Sequence, residues 1–176
     1  MEDTLKILQV LHNLTHLHLR DGYEGEQFHI EGGGFQKLKR LGLVKLGGLN
    51  RLIIDEGALP LLESLVIARC PQLKEVPSGI HHLKNLKLLK FEDMSTEFVL
   101  SLQQDEGPDF GKVKHIPSVT FWYRIRGGTK CPCHFQEITS MSPPTFLLDR
   151  VNYQSLSHIQ LQPPFCVTKQ LQPSIF

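Results

Sequence analysis

The sequence predicts an α/β solenoid: a short, irregular horseshoe with parallel strands on its concave side, a mostly irregular convex side and a disordered C-terminal tail. Three observations lead there. Leu14, Leu38, Leu62 and Leu86 recur every 24 residues, as do Leu17, Leu41, Leu65 and Leu89. Leu19, Leu43, Ile67 and Phe91 follow two places on, and Leu11, Phe35, Leu59 and Leu83 make a fourth column. No single segment is long enough to be a domain, so the columns have to meet by stacking.

The spacing and the L-x-x-L-x-L core fall in the range of leucine-rich repeats. Within Leu62-Glu63-Ser64-Leu65-Val66-Ile67, Leu65 and Ile67 share one strand face, while Ser64, Val66 and Ala68 point the other way. One repeat cannot bury its leucines alone. Stacked repeats form a continuous core and a parallel sheet, each buried Leu contributing about 1.5 to 3 kcal/mol. Three repeats are the minimum for such a core, and this chain has four.

Taken in order, residues 1–102 read as the repeats. Leu5, Ile7, Leu8 and Val10 resemble the end of a preceding repeat without a polar cap, so this edge is expected to continue an array or pack on something else. Gly22, Gly25, Gly32, Gly33 and Gly34 mark loop between the first two strands. The position of Cys70 holds Gly22, Leu46 and Met94 in the other repeats, which leaves no asparagine ladder and predicts an irregular solenoid. After Met94, Ser95 or Thr96 is placed to cap a short helix carrying Phe98, Val99, Leu100 and Leu102. Residues 103–128 read as a C-terminal cap, in which Val119, Phe121, Tyr123 and Ile125 alternate with Thr120, Trp122, Arg124 and Arg126 as in a half-buried strand. Residues 129–176 hold six of the 11 prolines and three of the 4 cysteines, with no echo of the repeat. Disorder is expected there.

The most specific text is Ile67-Ala68-Arg69-Cys70-Pro71-Gln72-Leu73-Lys74-Glu75-Val76-Pro77-Ser78-Gly79-Ile80. It resembles the C-terminal leucine-rich-repeat domain of plant nucleotide-binding leucine-rich-repeat immune receptors, whose repeats read L-x-x-L-x-I-x-x-C, then L-x-x-h-P-x-G-I, then L-x-x-L. Leu62, Leu65, Ile67, Cys70, Leu73, Val76, Pro77, Gly79, Ile80, Leu83 and Leu86 stand on those positions. Ile54-Asp55-Glu56-Gly57-Ala58-Leu59-Pro60 looks like the coiled-coil subgroup, and the resemblance covers roughly residues 1–126. It implies a cytoplasmic module of disease resistance and innate immunity. Such a module recognises a pathogen effector or a guarded host protein, or restrains the nucleotide-binding domain of its own receptor. A generic repeat adaptor, such as one selecting ubiquitin-ligase substrates, is the alternative.

Charge and motifs narrow the remaining classes. A net charge of +1 and a pI near 7.8 give no bulk field for nucleic acid or an anionic membrane. The acidic start Met1-Glu2-Asp3-Thr4 carries no signal-peptide pattern. Gly107-Pro108-Asp109-Phe110-Gly111-Lys112-Val113 has three residues between its glycines, and Val113 where a phosphate loop needs Ser or Thr. It reads as a solvated turn, and no cofactor is expected. Cys131-Pro132-Cys133-His134 lacks a second ligand pair at zinc spacing, so these are read as loop cysteines and no metal is assigned. No catalytic set stands out, and the chain is read as a binding protein rather than an enzyme. The concave strand positions are the candidate protein-binding residues: His16, His18, Arg20, Lys39, Arg40, Lys45, Arg69, Lys87, Lys90 and Glu92. A long rigid strand face changes its chemistry without disturbing the core, which suits recognition of another protein.

Overall fold

The chain repeats its backbone as closely as it repeats its leucines. The computed structural model describes residues 2–102, 107–124 and 130–134. Its strands are β1 His16–Arg20, β2 Gln27–Ile30, β3 Arg40–Val44, β4 Arg51–Ile54, β5 Ser64–Ala68, β6 Leu88–Glu92, β7 Ser118–Arg124 and β8 Lys130–His134. One sheet runs β1-β3-β5-β6-β7-β8, and the returning stretches of the first two turns form a second sheet, β2-β4. The register joins Leu17 to Leu41, Leu41 to Leu65, Leu65 to Leu89 and Leu89 to Val119. The expected interior column is therefore one row of the sheet, and Leu41, Leu65 and Leu89 are fully buried.

Successive turns meet at a repeated junction. Two consecutive amides of one turn donate to a single carbonyl of the turn before: Lys39 and Arg40 to Thr15, Glu63 and Ser64 to Lys39, Lys87 and Leu88 to Glu63. Just ahead of each junction a tight turn returns Leu14 N–H to Leu11 C=O, Leu38 to Phe35, Leu62 to Leu59 and Leu86 to Leu83. At the far end of the strands Asp21, Lys45, Arg69 and Asp93 adopt left-handed backbone, with φ of 52°, 57°, 54° and 51°. Their N–H groups donate forward to the carbonyls of Val44, Ala68, Glu92 and Trp122. A left-handed residue with a Cβ costs about 1–2 kcal/mol. The forward hydrogen bond offsets that cost by ending the strand with its last amide satisfied.

The convex side is more regular than the glycine-rich sequence suggests. β2 and β4 pair in parallel, Phe28 with Leu52 and Ile30 with Ile54, and all four side chains are buried. Each strand alternates in the ordinary way, but at four residues each is too short to stand out among flanking glycines. Ser78 extends this side by bridging to Ile53, with Ser78 N–H donating to Leu52 C=O. Here Gly79 takes φ 81°, and a Cβ on it would lie 1.8 Å from Ile54 O, so only glycine fits.

The two ends of the stack are built differently. Residues Glu2–Gln9, read as the tail of a repeat, form helix α1, which buries Leu5 and leaves Ile7 62% exposed. At the other end Ser95 caps helix α2, Thr96–Ser101, by accepting the Phe98 N–H, as the sequence indicates. Phe98 and Phe121 close over Phe91, with ring centroids 4.7 and 5.3 Å away. The stretch read as a solvated turn instead carries α3, Phe110–Val113. Asp109 there is only 2% exposed; its Oδ2 accepts the Val76 N–H at 2.8 Å and its Oδ1 lies 2.6 Å from Lys112 Nζ. The cap is thus tied to the third repeat by a buried carboxylate, a role that a turn-like sequence conceals. Beyond residue 128, β8 pairs antiparallel with β7, Phe121 with Cys133 and Tyr123 with Cys131. Pro132 is compatible with a strand at the sheet edge, where a missing donor is tolerated. Residues 135–176, the rest of the expected tail, lie outside the described residues.

Two stability measurements check these features. Urea denaturation should find Lys45→Gly within about 1 kcal/mol of the parent, and Lys45→Val destabilised by about 1–3 kcal/mol because a β-branched residue resists positive φ. Asp109→Ala should cost about 1–3 kcal/mol by orphaning the Val76 amide, and Asp109→Asn should recover part of that loss by keeping an acceptor.

Candidate protein-binding face

Strand alternation sets the face. With the leucines turned inward, the outward rows read His16, Arg40, Ser64, Leu88, Ser118; then His18, Gly42, Val66, Lys90, Thr120; then Arg20, Val44, Ala68, Glu92, Trp122. The left-handed residues Asp21, Lys45, Arg69 and Asp93 make a fourth row along the strand ends. All ten candidate residues lie on or beside this sheet, and the sheet divides them into two kinds.

On the first two strands the basic side chains stand open. His16, His18 and Arg20 of β1, with Lys39 and Arg40 at the start of β3, are exposed. Among the described residues none of the five makes an ion pair. The His18 ring lies across Gly42, where an added Cβ would come within 2.4 Å of it. Gly42 therefore lets the imidazole lie flat on the neighbouring strand.

Farther along the sheet the charges are engaged. Arg69 Nη2 is 3.7 Å from Glu92 Oε1, and its Nε is 3.4 Å from Asp93 Oδ2 without a hydrogen bond between them, so that contact is Coulombic. Lys90 Nζ lies 3.7 Å from Glu92 Oε2 and 4.4 Å from the centre of the Trp122 ring. Glu92 is buried at 7% exposure, so it serves the internal network more than a partner. Lys87 pairs with Glu63 at 3.4 Å and Lys45 with Asp21 at 3.3 Å, both on the surface. Val66 and Leu88, half-buried, lie between the open and engaged groups.

The other candidates have plainer settings. Cys70 is buried, its Sγ 3.5 Å from Ala68 O, and burial pushes its thiol pKa up, which keeps it protonated and unreactive. Burial, with Lys84 nearby, lowers the His115 pKa. The His29 ring, 2.9 Å from Asp55, holds that carboxyl below its usual range. Among the described residues no three His, Cys, Asp or Glu side chains gather as a metal site, and no helix is long and apolar enough to cross a membrane. Cys131 and His134 lie in β8, whose side chains are outside the description.

Comparison with known proteins now bears on this face. No protein-family model and no solved structure matches the chain. Over 121 residues it is 38% identical to Disease resistance protein RPH8A of Arabidopsis thaliana, covering 68% of this chain and 13% of that protein. Disease resistance protein RPP8 is 37% identical over 121 residues, with the same coverage, and Disease resistance protein RPM1 is 31% identical over 128, covering 73% of this chain and 14% of that protein, both from the same plant. The chain is homologous to part of the plant disease-resistance proteins. The resemblance read in the third repeat thus extends over about two thirds of the sequence. The chain spans only about 13% of the disease-resistance relatives' own length.

Two features of the face escaped the sequence reading. Trp122 belongs to it, and alternation in β7 already put it opposite Phe121. The internal pairing of half the cations also had a signal. Among the described residues five pairs of opposite charges stand 24 residues apart, and four of them meet, Asp21 with Lys45, Glu63 with Lys87, Arg69 with Asp93 and Arg51 with Glu75, while Lys39 makes no ion pair with Glu63. In a solenoid this spacing plays the part that four residues play on a helix.

Thermal and urea unfolding separate the two kinds of cation. Arg69→Ala should cost about 1–3 kcal/mol, since it removes the guanidinium from two largely buried carboxylates. Arg40→Ala should stay within about 0.5 kcal/mol of the parent.

Proposed function

We propose that this chain is a protein-recognition module of a plant immune receptor, without catalytic activity of its own and acting in the cytoplasm. Its face would dock on an acidic surface, either of a pathogen effector or guarded host protein or of the receptor's own nucleotide-binding portion, which docking would hold in restraint. Homology to disease-resistance proteins supports the immune setting. The observation that carries the mechanism is the division of charge. Three exposed cations, Arg20, Lys39 and Arg40, gather with His16 and His18 on two adjacent strands, and none of the five makes an ion pair among the described residues. Cations already paired at home have less to gain from a partner; unpaired ones retain their full electrostatic attraction.

The nucleotide-binding portion of the RPP8 relative serves as the probe. Biolayer interferometry with the full chain should give an affinity that weakens as salt rises. Lys39→Glu with Arg40→Glu should weaken it at least tenfold and flatten the salt dependence, whereas Lys87→Glu should change it less than threefold. Equal effects at paired and unpaired positions, or unchanged affinity, would remove the face from the mechanism.

A further inference from the structure

A second repeated feature stands beside the sheet. Tight turns precede β1, β3, β5, β6 and β7, closed by Leu14 N–H to Leu11 C=O, Leu38 to Phe35, Leu62 to Leu59, Leu86 to Leu83 and Ile116 to Val113. Each leaves two residues at its tip: His12-Asn13, Gln36-Lys37, Pro60-Leu61, Lys84-Asn85 and Lys114-His115, all of them exposed. The strands they feed are neighbours in the sheet, so the tips form a row of one step per turn, roughly 20 Å long at the usual strand spacing. A turn stacked on either end of the sheet would lengthen this row without covering it.

The tips hold no acid. Lys37, Lys84 and Lys114 stand at three of them, and none of the three makes an ion pair among the described residues; Lys37 Nζ is 3.2 Å from Asn13 Oδ1. The acids lie elsewhere. Glu24, Glu26, Glu75, Asp93 and Glu97 come after the strands of the larger sheet, and Glu31, Asp55 and Glu56 follow β2 and β4. On that side the cations are answered, Lys45 by Asp21, Arg51 by Glu75 and Lys74 by Glu97. A net charge of +1 therefore conceals a row that carries only positive charge. The middle of the row is apolar. Pro60-Leu61 stands between the Lys37 and Lys84 turns, and Leu61 is 44% exposed although Leu59 and Leu62, on either side of this tip, are buried.

The chemistry of the row selects its partner. Protruding tips meet a broad flat surface more readily than a segment that has to be enclosed. Every tip cation is a lysine, whereas Arg20, Arg40, Arg51, Arg69 and Arg124 stand in strands or at their ends. An ammonium is a compact point charge suited to a diffuse field; a guanidinium fork matches a single fixed carboxylate. An exposed leucine between flexible lysines can enter the boundary below anionic headgroups while the lysines stay among them. We infer that this row of turn tips rests on an anionic lipid surface, with Leu61 in the interface and Lys37, Lys84 and Lys114 among the headgroups. Contact of this kind is peripheral and needs no membrane-crossing helix. It goes beyond the face reading, because the tips precede the strands and leave the sheet free. Its failure would leave the Lys39 and Arg40 test unaffected, and the converse holds.

The probe is a vesicle of phosphatidylcholine with about 30% phosphatidylserine, mixed with the full chain and sedimented. The chain should sediment with it, bind pure phosphatidylcholine at least tenfold more weakly, and leave the anionic vesicles as salt rises. Each lysine near such a surface raises the partition about fivefold, so Lys37→Gln, Lys84→Gln and Lys114→Gln together should weaken binding at least thirtyfold. Lys45→Gln, Arg51→Gln and Lys74→Gln together remove the same charge from the other flank and should lose no more than threefold. Leu61→Asn should lose at least threefold. Circular dichroism checks that the variants fold, and the lipid and salt comparisons on the parent chain need none of them. Absence of binding, equal binding to both vesicles, equal loss in the two triple variants, or full binding of Leu61→Asn would overturn the proposal. So would polyglutamate that binds the parent more tightly than the vesicles do and through the same lysines, since the row would then fit an acidic protein.

Discussion

Two amides converging on one carbonyl set the pitch of this molecule. Because Lys39 and Arg40 share Thr15, and Glu63 and Ser64 share Lys39, each turn begins at a fixed point on the turn before it. The leucines follow from that junction, since only one strand register lets Leu41 lie between Leu17 and Leu65. Burial supplies most of the energy, at about 1.5 to 3 kcal/mol for each enclosed leucine, but burial alone is indifferent to register. The hydrogen-bonded junction, with the left-handed residues that close the strands, makes the stacking specific. A shift of one residue would turn every buried side chain outward.

This explains what the sequence made legible and what it hid. The sheet could be read because its leucines must recur wherever the junction recurs. The left-handed positions could not, because only Asp21 and Asp93 are of a type enriched at positive φ, while Lys45 and Arg69 hold the same place in the turns between. They hold it because the next turn requires their amides. The second sheet was masked by its short strands, and Asp109 by a turn-like neighbourhood that becomes buried only when the cap folds against Val76. On the face, the choice of strands was legible and the state of the charges was not. Whether Arg69 or Arg40 is available depends on what stands one turn away, which the 24-residue spacing of opposite charges indicates only in part, since Glu63, one turn from both Lys39 and Lys87, pairs with Lys87.

The same logic gives the face its polarity. Toward β6 and β7 the network of Arg69, Glu92, Asp93, Lys90 and Trp122 satisfies itself and stiffens the sheet beside an aromatic core. Toward β1 the charges have no such company, and the leucines beneath them are incompletely covered. Rigidity and availability are thus separated along one surface. That arrangement suits recognition, in which an ordered platform presents groups whose electrostatic needs are unmet.

The ladder of charges one turn apart also bears on how such a chain can vary. Replacing Asp21 or Lys45 alters one rung, whereas inserting a single residue between them would separate every pair spanning that point and push the leucines out of line together. Tolerated variation should therefore come as exchanges of side chain at fixed length, or as gain or loss of a whole turn. A lineage under pressure to change what it recognises would rewrite the outward positions and leave the frame's length alone.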